Sequence, residues 1–202
     1  MLLELERKGA NIKDIALKAL EDKGLLSEIL KGLYSKKDAL RFNCFEVLHY
    51  ISEKNPNVLY SKWDFFVSLL ESENAYHKLI AVRILANLTY VDQENKFEGI
   101  FNRYCRLLNN SVIVAGHLAS SSGKIAKAKP ELRSKITQEL LSIDQTWQKH
   151  KDLVKAYAID AFNEYFSEAE NKNEILQFVR EQLNSRSPKT RKKARQFIKT
   201  WC

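Results

Sequence analysis

Two stretches decide how this chain is read: DALRFNCFEVLHYIS (residues 38–52) and AYHKLIAVRILANLT (residues 75–89). Shifted by 37 residues, they align without a gap. A small residue, Cys44 or Ala81, anchors each copy. Val47 and Ile84 follow three places on, then Leu48 and Leu85, then Ile51 and Leu88. The spacing i, i+3, i+4, i+7 is one stripe of an α-helix, because 3.6 residues per turn return those positions to the same face.

The pattern recurs further along. LVKAYAIDAFNEYF (153–166) aligns with the second copy at a shift of 77, and PKTRKKARQFIKTW (188–201) follows after another 36. Ala158 and Ala194 keep the small column, Ala161 and Phe197 the next, then Phe162 and Ile198, then Tyr165 and Trp201. A Lys or Arg recurs three places before the small residue: Arg41, Lys78, Lys155, Arg191. SVIVAGHLASSSGKIAKAK (111–129) fits more loosely, with Leu118 in the small column and Ile125 in the last. A shorter copy lies near Asn11–Leu33. Second helical stretches follow at 58–72, 97–109, 130–142 and 174–184. Asn55-Pro56-Asn57, Asp92 and Lys129-Pro130 mark breaks or starts. The unit is therefore a helix pair of 36–40 residues.

Composition agrees. Six Gly and three Pro in 202 residues argue for long helices and short loops rather than a turn-rich β fold. No apolar run approaches the roughly 18–20 residues that span a bilayer, and the start, MLLELERKG, has no signal-peptide h-region. Cys44, Cys105 and Cys202 are odd in number, far apart and without CxxC, which argues against a disulfide framework or a zinc site. The expectation is a cytoplasmic protein without membrane attachment, cofactor or bound metal. Net charge is +8 and uneven. Residues 1–101 hold 14 Lys/Arg against 15 Asp/Glu, and residues 102–202 hold 19 against 10. That asymmetry points to an anionic partner for the C-terminal half, or to a solvated basic surface.

The basic residue, the small residue three later and the Leu or Ile that follow resemble the first helix of a HEAT repeat; SPKTRKKA (187–194) resembles its entry pattern most, with Arg191 and Ala194 in place. The tetratricopeptide and ankyrin signatures are absent. The resemblance implies an all-α fold, a right-handed α-α superhelix of about five helix pairs plus a C-terminal capping helix. Residues 1–202 then form a single domain, with second helices lining the concave surface.

Catalytic patterns are sparse. His49, His77, His117 and His150 form no HExxH or i, i+4 pair, and no GxSxG occurs. Ser120-Ser121-Ser122-Gly123-Lys124 is not a P-loop: Gly116 and Gly123 are separated by six residues, Ile125 follows the lysine, and the segment is helical. Close helix packing explains its small side chains. DNA-alkylation-repair glycosylases are built from HEAT-like repeats, and their characteristic run is similar to Asn-Trp-Asp-Leu-Val-Asp. Lys62-Trp63-Asp64-Phe65-Phe66-Val67 lacks its first Asn and last Asp. Thr146-Trp147-Gln148 lacks the Asn and has Gln in place of the Asp. No catalytic residue is carried over.

Cations cluster in three places. Lys124, Lys127, Lys129, Arg133 and Lys135 form one patch. Lys149, His150, Lys151 and Lys155 form another beside Trp147, which either stacks on a partner beside phosphate-binding cations or folds back onto the protein. The third is the C-terminal helix, with Lys189 and Lys193. There Lys192 takes the place of Phe42, Leu79 and Ala156, and Arg195 that of Phe45, Val82 and Ile159, as expected of a polar terminal cap. Ser187 suits its N-cap and Pro188 its first position. Trp63, Phe65, Phe66, Phe97, Phe101, Tyr104 and Phe178 sit on second helices, where most belong to the core. The chain is thus expected to be a non-enzymatic binding or scaffold module that engages another protein, with no small-molecule substrate. The alternative is nucleic-acid binding through the basic half, including a glycosylase of the alkylation-repair kind.

Overall fold

Helix boundaries follow the capping chemistry. In the computed structural model, which describes residues 2–147 and 149–202, the Ser187 hydroxyl accepts from the Thr190 amide at 3.3 Å and Pro188 opens the last helix. The Asn74 side chain accepts from the Tyr76 amide at 2.9 Å, and Ser111 from that of Val114 at 3.4 Å. Each bond satisfies a first-turn N–H that has no partner within its helix. The fold is all-α, with 81% of the chain helical and no strand among the described residues. No helix among the described residues is long and apolar enough to cross a membrane.

Contacts divide the chain into two compact units, Met1–Phe66 and Val67–Cys202. The first contains α1 (Leu2–Leu5), α2 (Ile12–Glu21), α3 (Lys23–Gly32), α4 (Asp38–Lys54) and α5 (Pro56–Tyr60). A further helix, α6 (Trp63–Leu69), begins in it and ends in the second unit. The other four helices pack on α4, whose Cys44, Val47, Leu48 and Ile51 are fully buried. The short first copy is a helix pair split by one residue: the Asp22 carboxylate accepts from the Gly24 and Leu25 amides at 2.8 and 3.0 Å. Buried Asn43 donates to the Leu5 and Arg7 carbonyls, tying the chain start to α4.

The second unit contains α7 (Ala75–Leu88), α8 (Lys96–Cys105), α9 (Val112–Ala128), α10 (Arg133–Leu141), α11 (Lys151–Tyr165), α12 (Lys172–Glu181) and α13 (Pro188–Trp201). The first helices of successive copies lie directly side by side: α7 on α9, α9 on α11, α11 on α13. The aligned stripe faces inward, with Ala81, Ala158, Ala194, Ile84, Ala161, Leu85, Phe162, Leu88 and Tyr165 all at 0% exposure. Fully burying a Leu, Ile or Phe stabilises by about 1.5–3 kcal/mol, so this stripe dominates the unit's core. The loosely matching fourth copy is a full helix of 17 residues, α9. Its glycines mark the closest approach: a Cβ on Gly123 would lie 3.0 Å from the Ala161 Cα, and one on Gly116 3.0 Å from the Tyr157 ring.

Polar bonds repeat with the same period. Lys124 donates to Asn87 and Lys129 to the Asp92 carbonyl, each 37 residues apart. Ser134 donates to Asn171 across 37 residues, and the Trp201 indole to Asn163 across 38. The buried Thr190 hydroxyl donates to the Asp152 carbonyl, also 38 residues away. Lys124 with Asn87 and Lys129 with Asp92 are equivalent positions of neighbouring copies, and the other three pairs lie two or three residues out of that register.

Candidate binding surfaces

The recurring cation is a structural residue in three of its four copies. The Arg41 guanidinium donates to the Ser35 carbonyl at 3.0 Å, and that of Arg191 to the Ser185 carbonyl at 2.7 Å. Lys155 pairs with Asp144 at 2.7 Å. Each reaches back to the loop before its helix and closes that loop onto the helix.

The first predicted patch is not one surface. Lys129 is 5% exposed, and its ammonium donates to the Asp92 carbonyl and to Asn95 Oδ1, both at 2.6 Å. It also lies 3.4 Å from the Asp92 carboxylate, which accepts from the Lys96 and Phe97 amides and starts α8. Arg133 donates to the Ala126 carbonyl and to the backbone and carboxylate of Glu168. Lys127 and Lys135 are exposed, whereas Lys124 is half-buried against Asn87.

The second patch is partly gathered. Lys149, His150, Lys151 and Arg186 line a cleft of about 580 Å³ with Asp144 and Asp152. Lys151 donates to the Asp144 carbonyl. Trp147 is 91% exposed, so its ring does not fold back, although its amide donates to Asn109 at 2.9 Å. Gln148, the residue after it in the glycosylase comparison, lies outside the described residues. The other glycosylase-like run has Trp63 buried in the core at 3%. Trp63, Phe66, Phe97, Phe101, Tyr104 and Phe178 are all buried, and Phe65 is half-buried.

In the terminal helix, Lys192 and Arg195 are exposed, while Ala194 and Phe197 are buried. Val82 and Ile159, in the place of Arg195, are buried; Leu79 and Ala156, in that of Lys192, are too. Phe42 differs: it is 53% exposed.

A further surface is assembled by the stacking of first helices. Ile113, His117, Lys124 and Lys127 follow one stripe of α9, as do Tyr157, Asp160 and Glu164 on α11. Lys189 of α13 places its ammonium 3.6 Å from the centre of the Tyr157 ring, a cation–π contact. Tyr157 in turn lies against Gly116, next to His117. Lys193 pairs with Asp160 at 2.8 Å. Burial holds His117 below the usual histidine range, and the positive charges of Arg83 on α7 and Lys189 on α13 push the same way. Burial pushes the Glu164 carboxyl up, against the pull of Lys127 and Lys124, with Asp160 adding to the rise. Lys189 and Lys193 were legible as cations of the last helix. Their union with Arg83, His117 and Tyr157 was not, because it depends on how four helices stack. The only linear signal is the column just before the small residue, which drifts from Ile80 to His117, Tyr157 and Lys193.

No His, Cys, Asp or Glu side chains gather, among the described residues, in a group of three or more that could hold a metal ion. No protein-family model matches this chain, and no curated protein matches it. Among solved structures, the chain is similar to an engineered protein crystallised as a target of the Northeast Structural Genomics Consortium. The two share 18% identity over 98% of this chain and 87% of the other, with a TM-score of 0.54. That likeness is one of fold.

Proposed function

We propose that the chain is a HEAT-like right-handed α-α superhelix that binds another macromolecule, in the first place a protein, without catalysing a reaction. The observation that carries this reading is the register of the second unit. Side-chain bonds recur at separations of 37–38 residues, and first helices stack in succession over small residues. Helix pairs related by such a period present extended surfaces instead of a single enclosed cavity. The tightly packed layer is that of α7, α9, α11 and α13, and a two-layer array bends toward its tighter layer. The working face is therefore assigned to the first helices rather than to the second helices that the HEAT resemblance favours. Three unpaired cysteines support a reducing compartment, the cytoplasm.

A second reading, nucleic-acid binding, draws on the exposed Trp147 beside Lys149 and on the basic C-terminal half. Affinity capture from the source cells followed by mass spectrometry, together with a gel-shift titration at low salt, separates the two. The protein reading expects a saturable protein partner and no shift of DNA or RNA. A strongly salt-dependent shift with no protein partner contradicts it.

A further inference from the structure

The first-helix face of residues 67–202 combines charge, aromatic rings and apolar side chains in a way that selects among macromolecules. Five cations lie on its stripes: Arg83, Lys124, Lys127, Lys189 and Lys193. Two carboxylates, Asp160 and Glu164, sit in its middle on α11. Lys193 is paired with Asp160, and Lys124 and Lys127 act on Glu164. Net charge is positive, so an anionic partner is favoured. A nucleic-acid backbone, however, carries one charge at every step and meets repulsion wherever it crosses α11. A polypeptide places its carboxylates where it chooses and leaves neutral or apolar residues opposite Asp160 and Glu164. The same face exposes Ile113 at 61% and Tyr90 at 56%. Tyr90 lies in the 3₁₀ turn that follows α7, and that turn packs against α9. Apolar surface of this kind has no counterpart in a phosphate chain and is the usual seat of an apolar peptide anchor.

We propose that this face binds an acidic polypeptide segment with interspersed apolar residues, laid across α7, α9, α11 and α13. The carboxylates of the segment meet Arg83 and Lys189 on either side of His117 and Tyr157, and an apolar side chain between them meets Ile113. Packed helices lie about 8–10 Å apart, so three steps span about 25–30 Å, which an extended chain of about eight or nine residues covers. This deepens the macromolecular-binding reading above and rests on it.

The test is fluorescence anisotropy in about 50 mM salt with three labelled probes: a twelve-residue peptide repeating Glu-Leu-Glu, its Lys-Leu-Lys counterpart, and a single-stranded oligothymidine. The proteins are the full chain, the Arg83→Glu/Lys189→Glu double variant, and Lys135→Glu as a cation exposed on α10. Circular dichroism checks that each is folded. The full chain binds the acidic peptide in preference to both other probes. The double variant loses affinity by about tenfold or more, and Lys135→Glu stays within about twofold. Should the double variant not fold, Arg83→Gln and Lys189→Gln singly replace it, each expected to weaken binding about threefold. Tighter binding of the oligothymidine overturns the proposal, and so does peptide binding that survives both charge changes. Absence of any peptide binding overturns it as well. In that case a partner recovered by affinity capture whose binding is insensitive to the face variants leaves the broader reading standing, whereas no partner at all removes both.

Discussion

Lys129 and Cys44 illustrate how far a side chain's role depends on what surrounds it. Lys129 reads as part of a basic run, yet it is buried against the Asp92 carbonyl and carboxylate. Removing one partner of a buried pair leaves the other uncompensated, at a cost of about 3–5 kcal/mol. Lys129→Met should therefore lower the urea-unfolding free energy by that amount, and adding Asp92→Asn should restore part of it. Burial pushes the Cys44 thiol up to about 12 and also raises that of Cys105, while Cys202 is exposed. Thiolate is the reactive form, so a thiol reagent such as DTNB should titrate one cysteine per native chain and all three after unfolding. His117 gives a pH signature. Its folded-state pKa lies below the unfolded value of about 6.5. Above that value it is neutral in both states and changes nothing. As pH falls below it, the unfolded chain takes up the proton first and stability declines until the folded pKa is passed. Between pH 7 and 5, His117→Gln should show the shallower decline in stability. The buried columns were legible because burial repeats every copy; the Lys129 pair was not, because a run of cations does not disclose a carbonyl 37 residues away.

At the scale of elements, the stripe positions predicted the first helices well. Residues 38–52 and 75–89 lie within or nearly coincide with α4 and α7, and 188–201 coincide with α13. Second helices were less regular than their periodicity implied. The stretch at 58–72 is interrupted between α5 and α6, and 3₁₀ turns follow α8, α10 and α12 as they also follow the first helices α7 and α11. Such turns tighten the last helical residues where carbonyls lack partners, and apolar spacing does not encode them. The α9 stretch fits the pattern loosely because Gly116 and Gly123 stand where other copies hold larger residues, and the close approach of α11 is the reason. Gly123→Val should destabilise by about 1–3 kcal/mol through overpacking. Gly99→Ala, whose new Cβ meets nothing within 4 Å, should stabilise α8 by up to about 1 kcal/mol; thermal unfolding compares the two. At the chain's last helix, Lys192 and Arg195 keep a polar outer surface. Lys192→Leu with Arg195→Val should promote end-to-end association in sedimentation velocity, and a monodisperse variant counts against the capping role.

For the whole molecule, the basic half of the chain separates into cations spent on structure, such as Lys129, Arg133, Lys155 and Arg191, and cations presented on faces, such as Lys127 and Lys189. Net charge alone cannot make that division, which is why the candidate patches legible in sequence were only partly assembled and the Arg83–His117–Tyr157–Lys189 surface went unseen. The central claim is that the first-helix layer of residues 67–202 is the surface that meets a partner. Site-specific photo-crosslinking in the source cells tests it most directly, with benzoylphenylalanine placed at Ser120, half-buried on the α9 stripe, or at Gln177, exposed on α12. The account predicts a discrete protein adduct from Ser120 that Arg83→Glu/Lys189→Glu abolishes, and none from Gln177. An adduct from Gln177 alone, or one from Ser120 unaffected by the charge reversals, would contradict it.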